Sequence, residues 1–369
     1  MRRADTRLTM LLLAAAVASG AADTSRPDGW RRVEGPPVLS FPADHGPHPG
    51  FRSEWWYVTG VVRDTHGQER GFQLTFFRQG LEPGPLGPGQ SDLRARQVLA
   101  AHLAVADIPA GRFLTAQRLR RADDLLAGWR GDGLDLWLEG WRLRLDPEGV
   151  LHLGADDRDA GISLDLSLEP TRPLVLQGAD GFSAKGPEPG NASVYLSWTR
   201  LATRGTLTVG GRTLEVTGTS WMDHEWGTSQ LGPDVVGWDW FSLRLADGRD
   251  LMVYRLRRAG GTADPFSSGT LVSADGSTRR LAADDVVLEP RSTWTSPKTA
   301  AVYPVRWHLA VPSAGISLEL TPLLKGAEVD GRASTGVAYW EGPVGASGSV
   351  QGEGYVELTG YAGGLAGRL

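Results

Sequence analysis

Short runs in which hydrophobic and polar residues alternate recur along most of the chain. They include residues 134–139, 141–145, 162–168, 205–209, 240–245 and 316–320. A period of two is typical of a β-strand that buries one face, whereas a helix repeats every 3.6 residues. Turn residues separate the runs at intervals of roughly 8–12 residues, the spacing of sandwiches and barrels. The pattern therefore predicts an all-β protein. For segment 119–129 it predicts a short helix or an irregular loop instead of a strand.

A weak internal repeat divides the chain into two modules. The first copy is an aromatic-rich run at 55–62, a turn at His66-Gly67 and a return run at 72–78. The second copy extends from Trp238 through a turn at Asp247-Gly248 to Arg255. Each copy has the pattern of a hairpin with glycine in its turn. We therefore predict two similar antiparallel barrels, an N-terminal one at 31–216 and a C-terminal one at 217–369.

The N-terminus has the pattern of an export signal. Three arginines within the first seven residues precede an apolar run at 8–17, and small residues follow. We predict that residues 1–22 are a signal peptide and that the mature chain is periplasmic or secreted. No later segment approaches the ~20 apolar residues of a membrane span, so no stable span is expected after cleavage.

Composition narrows the function classes. The chain has no Cys, which excludes disulfides and a thiolate nucleophile. Its net charge is −5 and its basic residues are scattered, so nucleic acid is not an expected partner. Nucleotide, phosphate-loop and serine-hydrolase signatures are absent from the sequence, and we predict no cofactor. The 14 Trp residues indicate large flat apolar surfaces, either in a core or around a ligand.

The densest group of polar and aromatic residues is segment 221–227. Asp223, His224 and Glu225 stand consecutively between Trp221 and Trp226. Charged groups are costly to bury unless they are paired, so such a cluster beside aromatic residues indicates a site. The alternative is a polar linker in which these groups only pair with one another.

A second candidate is Trp238-Asp239-Trp240. A carboxyl group between two Trp residues is a candidate for a desolvated acid that keeps its proton and donates it. The alternation of the strand equally allows Asp239 to point outward. Arg255 or Arg257, on the return strand, could also neutralise it.

Three other segments contain an acid or histidine. Glu54 precedes Trp55 and Trp56 at the edge of the first module, where packing is favoured over direct chemistry. His102 lies in an apolar run and is interpreted as a core residue or one that points into a cavity. Segment 44–48 has two His three residues apart, but the loop offers no obvious third and fourth ligand. We therefore predict no metal site.

These segments resemble the AttH-like, carotenoid 1,2-hydratase-related family of bacterial exported proteins, many of them labelled predicted secreted hydrolases. The matching stretches are PADHGPHPGFRSEWWYVTG at 42–60, GFQLTFFR at 71–78, SWMDHEWGTSQL at 220–231, GWDWFSLRLADGRDLMVYRLR at 237–257 and YWEGPVGASGSVQGEGYVELTGY at 339–361. They cover nearly the whole mature chain. The resemblance implies two lipocalin-like β-barrels in tandem.

The resemblance also implies site residues. Hydratase members add water to the terminal double bond of an acyclic carotenoid without a cofactor. Their motif pairs a His with a Trp two residues later and uses a downstream acid, which gives His224, Trp226 and Asp239 as catalytic residues here. Aromatic residues expected around the ligand are Trp55, Trp56, Trp221, Trp238, Trp240 and Tyr254. Supporting residues are Glu54, Asp223, Glu225 and His102.

Three functions remain open at this stage, and whether the protein is an enzyme is left undecided. The preferred one is binding of an apolar lipid-like or isoprenoid-like ligand, because a lipocalin-type barrel alone does not imply catalysis. The alternative is a hydratase or hydrolase that adds water to an apolar alkene by acid-base catalysis. The third is an accessory protein of an envelope transporter. The first two require a continuous apolar cavity near His224 and Asp239.

Overall fold

The computed structural model describes residues 28–84, 95–228, 231–232 and 234–365. The predicted signal peptide, residues 1–22, lies outside this range, so export stays a prediction. Among the described residues, no helix is both long enough and apolar enough to cross a membrane.

Nearly all regular structure is β-strand. The first sheet has 13 strands: β1 Ser53–Asp64, β2 Glu69–Gly80, β3 Gln97–Asp107, β4 Arg112–Arg121, β5 Ala127–Trp129, β6 Asp135–Leu138, β7 Trp141–Leu145, β8 Leu151–Asp157, β9 Ile162–Pro170, β10 Val175–Leu176, β11 Phe182–Ala184, β12 Ala192–Val209 and β13 Arg212–Gly227. The second sheet has ten: β14 Val235–Leu245, β15 Asp250–Arg258, β16 Ser268–Val272, β17 Thr278–Ala282, β18 Val287–Thr295, β19 Val302–Val311, β20 Ile316–Pro322, β21 Glu328–Gly331, β22 Val337–Gly348 and β23 Gly352–Thr359. Three short 3₁₀ helices complete the described elements: Ala43–His45, Ala283–Asp285 and Pro312–Ala314.

All strand pairings of the two main sheet paths are antiparallel. The first path runs β4-β3-β2-β1-β13-β12-β9-β8-β7-β6-β5, and the second runs β17-β16-β15-β14-β23-β22-β20-β19-β18. Each sheet curls into a barrel or half-barrel. The prediction of an all-β protein with two tandem lipocalin-like barrels is confirmed.

The repeated hairpins are the β1–β2 and β14–β15 pairs. Gly67 and Gly248, in their turns, have φ of 75° and 89°, a region that glycine occupies without a steric penalty. The prediction for segment 119–129 is wrong, because Leu119 to Arg121 continue β4 and Ala127–Trp129 forms β5. Strand pairing with β3 and β6 overrides the local pattern there.

Strand β13 completes the first sheet. It pairs with β1 on one side and with β12 on the other through Gly227. The predicted module boundary at 216 falls inside this strand. Segment 221–227 therefore belongs to the first sheet rather than to a link ahead of the second barrel.

The hydrophobic cores follow from the alternation of the strands. One apolar cluster fills each barrel, and a third, rich in aromatic residues, lies between the two sheets. Asp250 joins the modules at one end of this interface, where it accepts hydrogen bonds from Arg172, Thr199 and Arg200 of the first module. Residues on the outward faces of β1, β13, β14, β22 and β23 are thereby buried against the other module.

Candidate functional site

The two faces of β13 lead to two different clusters. Met222 and Trp226 pack into apolar clusters of the first module, and His224 lies on the same face. Trp221 packs into the aromatic cluster between the sheets, and Asp223 lies on its face. Period-two alternation separates neighbours in sequence in this way. The acid-His-acid run is therefore not one site but parts of two.

The aromatic residues predicted to surround a ligand gather between the sheets, with one exception. Trp221, Trp240 and Tyr254 are buried in the aromatic cluster between the two sheets. Trp55 and Trp238 are half-buried against that cluster. Trp56 instead lies in the core of the first barrel. The indole of Trp240 donates a hydrogen bond to the Tyr195 hydroxyl across the interface at 2.9 Å.

Asp223 is a buried acid at this interface. Its carboxyl oxygens accept hydrogen bonds from the Tyr195 hydroxyl at 2.5 Å, the Ser197 hydroxyl at 2.5 Å and the Trp221 indole at 2.6 Å. Burial nevertheless raises the pKa of Asp223 to about 7, because these neutral donors replace bulk water only in part.

Glu225, on the same face, has a cationic partner. Lys185 Nζ lies 2.8 Å from Glu225 Oε1, and the Ser193 hydroxyl also donates to this carboxylate. Although burial opposes it, Glu225 raises the pKa of Lys185 above its ordinary value. The ammonium group also lies over the Tyr254 ring, 4.2 Å from its centroid. Glu225 and Lys185 therefore form a paired, charged border to the interface.

Glu341 and Glu357 are two acids on the second-sheet side of the interface. They are direct cross-strand partners on β22 and β23, so their Cβ atoms are about 4.5–5.5 Å apart. Burial, and then the nearby Glu357, raise the pKa of Glu341 well above its ordinary value. Burial raises the pKa of Glu357 to about 7, against hydrogen bonds from Thr359 and Trp238. We call Glu341, Glu357 and the adjacent Tyr57 and Gln73 the interface cluster.

Several polar atoms of the interface cluster lack a hydrogen bond. Tyr57 and Gln73 lie within hydrogen-bonding reach of the Glu341 carboxyl group, and they oppose the rise in its pKa. Within the described residues, however, neither Glu341 oxygen, nor the Tyr57 hydroxyl, nor Gln73 Oε1 has a partner at normal hydrogen-bond geometry. The interface cluster therefore contains buried polar groups that the protein satisfies only in part, which is uncommon in folded proteins.

His102 also lies at the contact between modules. Its Nδ1 is 2.7 Å from the Tyr339 hydroxyl and its Nε2 is 2.8 Å from the Ser334 hydroxyl. Burial lowers the pKa of His102 to about 4, so the ring is neutral near pH 7. Since Tyr339 also accepts a hydrogen bond from Gln73, His102 supports the edge of the interface cluster.

On the barrel face, His224 joins a second group that we call the barrel cluster: His48, Glu54, Arg78 and His224. Glu54 Oε1 lies 2.8 Å from His224 Nε2 and 2.7 Å from His48 Nδ1, and Arg78 Nε donates to Oε2 at 2.8 Å. Although burial opposes it, Arg78, followed by the two histidines, lowers the pKa of Glu54 far below its ordinary value. Burial lowers the pKa of His224 to about 4.

Aromatic rings fix the orientation of these histidines. The His48 ring stacks on Trp226 with centroids 3.8 Å apart, and the His224 ring stacks on Trp56 at 4.7 Å. His224 and Trp226, which the sequence motif pairs, therefore lie in one cluster. Their neighbours there are His48 and Glu54 rather than a downstream acid.

Asp239 does not join His224. It lies on the opposite face of β14 from Trp238 and Trp240, inside the second barrel. Arg255 donates to it at 2.7 and 2.9 Å, Arg257 lies at 3.2 Å and the Tyr361 hydroxyl donates at 2.8 Å. In the described structure Asp239 and His224 share no contact. The structure thus places Asp239 among two arginines and a tyrosine rather than beside His224.

The similarity to known proteins covers nearly the whole described chain. The AttH-like family model matches residues 32–361. The chain belongs to the AttH-like family. This confirms the resemblance seen in the sequence segments.

Solved structures show the same fold as this AttH-like protein. A putative AttH from Nitrosomonas europaea is 38% identical, covers 88% of this chain and 98% of its own, and gives a TM-score of 0.80. Kievitone hydratase from Nectria haematococca is 17% identical over 90% of this chain and 96% of its own, with a TM-score of 0.68. CghA is 14% identical over 89% and 94%, with a TM-score of 0.51. No curated protein sequence matches the chain.

A continuous apolar cavity was expected near His224 and Asp239, but these two residues lie in different barrels of this AttH-like protein. The cavity at His224, which His45 and Met222 also line, measures about 10 Å³, room for about one water. A groove of about 200 Å³ lies at the edge between the modules, beside Arg172 and Val272. Both are smaller than the ~300–1,000 Å³ of an ordinary ligand pocket.

Sequence reasoning missed the acids of the interface cluster in this AttH-like protein. Glu341 and Glu357 each stand among alternating apolar residues, in YWEG and YVELT, where an inward-facing acid is unexpected. That alternation is a usable signal, because it places Glu341 on the same strand face as Tyr339. Their pairing depends on the register between β22 and β23, which a single sequence does not show.

Proposed function

We propose that this AttH-like protein is a hydratase-type enzyme that adds water to a carbon–carbon double bond of an apolar substrate, with Glu341 as the proton donor. One observation carries the proposal. Glu341 is a buried acid that stands directly beside Glu357 and, among the described residues, makes no hydrogen bond of standard geometry. This favours catalysis over the binding-only function preferred from sequence.

Like charges explain why Glu341 keeps a proton. Two neighbouring buried carboxyl groups are not both ionised, because their repulsion adds to the cost of burial. Glu357 is the acid that ionises first, since it is half-buried and accepts hydrogen bonds from Trp238 and Thr359. Glu341 is 1% exposed, and its neighbours Tyr57 and Gln73 make no hydrogen bond of standard geometry to it. The deeper acid therefore carries the proton near pH 7.

The surroundings suit a cationic intermediate. Protonation of an alkene carbon by Glu341 breaks the π bond and leaves a carbocation together with the Glu341 carboxylate. Aromatic faces attract such a cation, and Trp238 and Trp240 line this interface. Water then bonds to the cationic carbon, and the resulting oxonium group returns one proton to Glu341. The net reaction is alkene plus water to alcohol, with the acid regenerated.

The comparisons supply support of a limited kind. Kievitone hydratase is named for a hydration reaction, but at 17% identity its similarity to this chain concerns the fold. The chemical argument rests on the interface cluster. The half-buried Trp55 and Trp238 provide the accessible edge of the aromatic cluster.

The test replaces the acid while keeping its shape. Glu341→Gln should lower hydration of an acyclic carotenoid such as lycopene by about 10²–10⁴-fold, the range for loss of a general acid. Mass spectrometry of the product in isotopically labelled water measures the reaction. Binding of a fluorescent polyene, followed by quenching of Trp emission, should be unchanged. Glu319→Gln, at a half-buried glutamate of β20 outside the interface cluster, is the control.

A second measurement does not depend on the choice of substrate. Infrared difference spectroscopy at pH 7 should show the stretch of a protonated carboxyl group in the wild type, weakened in Glu341→Gln. An unchanged spectrum, or full turnover by Glu341→Gln, contradicts the proposal. Polyene binding without turnover by the wild type supports a carrier function instead.

A further inference from the structure

We propose that His48, Glu54 and His224 form a zinc-binding site inside the first barrel. This inference concerns the opposite face of β13 from the interface cluster and is independent of the proposed function. The sequence offered His45 and His48 without further ligands, and folding supplies them. Glu54 lies on β1 and His224 lies on β13. The segment before β1 places His48 next to both of them.

The donor atoms already converge. His48 Nδ1 and His224 Nε2 lie 2.7 and 2.8 Å from the same oxygen of Glu54, and all three atoms lie within 4.8 Å of one another. Two imidazole nitrogens and one carboxylate oxygen are a donor set that Zn²⁺ accepts, with the fourth position left for water. Arg78 occupies Glu54 Oε2, so Oε1 is the oxygen available to an ion.

The second ring nitrogen of His48 has a partner that suits a metal ligand. His48 stands between two carboxylates, because Nδ1 faces Glu54 and Nε2 lies 3.1 Å from Asp44 Oδ1. With a metal on Nδ1, a neutral ring donates its Nε2–H to Asp44. A carboxylate behind a metal-bound histidine is the usual arrangement in zinc sites.

The site is held rigidly before any ion binds. Trp226 stacks on His48 and Trp56 stacks on His224, at 3.8 and 4.7 Å between centroids. The Arg78 side chain also donates to the backbone oxygens of His48 and Phe51, which ties the segment carrying His48 to the barrel. Little ordering remains to oppose binding, and a site with rotamers locked by packing is the arrangement that functional metal sites require.

The experiment uses the chain without the predicted signal peptide, after treatment with a chelator. This protein is titrated with Zn²⁺, and the bound metal is measured by mass spectrometry after dialysis. Wild type should bind one Zn²⁺ per chain. His48→Gln and His224→Gln should lose stoichiometric binding. Asp44→Asn, at the supporting carboxylate in the 3₁₀ helix Ala43–His45, should weaken binding by about 10–100-fold. His308→Gln is the matched control, because His308 also pairs with a carboxylate, Glu319, at 3.0 Å but belongs to no three-ligand group among the described residues.

Cobalt gives a second signal that reports geometry. Co²⁺ bound at a four-coordinate site should produce visible absorption bands, and these should be missing from His48→Gln but present in His308→Gln. Circular dichroism shows which variants are folded, and Asp44→Asn keeps the test decisive where a core variant does not fold. Absence of stoichiometric zinc binding by the wild type overturns the proposal. Equal binding by the wild type and by folded His48→Gln and Asp44→Asn does so as well.

Discussion

The barrel cluster and the interface cluster bury acids on opposite sides of one pair of adjacent strands, β1 and β13, with opposite results. In the barrel cluster, Glu54 contacts Arg78 and two histidines, and its pKa lies far below the ordinary value. In the interface cluster, Glu341 contacts only neutral groups and another acid, and its pKa lies well above that value. The difference shows that burial alone does not set the charge of a carboxyl group. The partners that the fold brings to it do.

Asp239 extends the comparison to the second module. Glu54 and Arg78 are cross-strand partners in the first hairpin, and Asp239 and Arg255 are cross-strand partners in the second. Each of the two repeated hairpins therefore contains a buried acid–arginine pair, which lies farther from the turn in the first hairpin than in the second. The modules differ in what surrounds it, since Glu54 has two histidines where Asp239 has Arg257 and Tyr361.

Arg78→Met should have the largest effect on stability. It leaves Glu54 buried with no arginine, and breaking a buried ion pair costs about 3–5 kcal/mol. Arg255→Met should cost less, about 1.5–3 kcal/mol, because Arg257 and Tyr361 still bind Asp239. Urea unfolding of both variants with a chelator present gives the comparison. Equal losses would show that the two acid–arginine pairs are energetically alike.

Glu357→Gln should change the pH dependence of stability by about 1–2 kcal/mol, allowing for the partial exposure of Glu357. Because its pKa is raised in the folded state, Glu357 stays protonated to a higher pH in the folded wild type than in the unfolded chain. Wild-type stability from this group is therefore present below about pH 4.5 and is lost as the pH rises through about 7.

Glutamine removes that loss and keeps its carbonyl oxygen for Trp238 and Thr359. In urea unfolding, the free energy of unfolding of Glu357→Gln should therefore rise relative to that of the wild type between pH 5 and pH 8. A parallel pH dependence of the two proteins would mean that Glu357 is ionised in the folded state throughout this range.

Tyr254→Phe should give the smallest effect, about 1 kcal/mol, the value of a neutral hydrogen bond. Its hydroxyl lies 3.1 Å from the Ser183 hydroxyl, and the bond joins the two modules. Thermal unfolding of Tyr254→Phe, Ser183→Ala and the double variant measures the pair. Additive losses would show that this bond contributes nothing to holding the modules together.

Much of the fold was predictable because it depends on local patterns. Alternating runs such as 134–139 and 162–168 became β6 and β9, and the turns at Gly67 and Gly248 closed the two repeated hairpins. The module boundary was not predictable in this way. Placing β13 with the first sheet depends on its pairing with β1 and β12, which lie far away in sequence.

The site was predictable in its residue types but not in its groupings. The sequence selected Trp221, Trp240 and Tyr254, and the structure gathers them at one interface. It also joined His224 to Asp239, which the fold places in separate barrels. Glu341 was not selected from the sequence, because no residue near it in the sequence indicates that Glu357 is its neighbour on the next strand.

The sequence by itself determined the secondary structure, the two-module repeat and the family, since each is written in short segments. Only the tertiary structure decided which acids are charged. Alternation sends Asp223 and His224 to opposite faces of β13, and register brings Glu54 to Arg78 and Glu341 to Glu357. Protonation of a buried carboxyl group depends on the charges within a few ångströms of it, and those distances exist only after the sheets have formed.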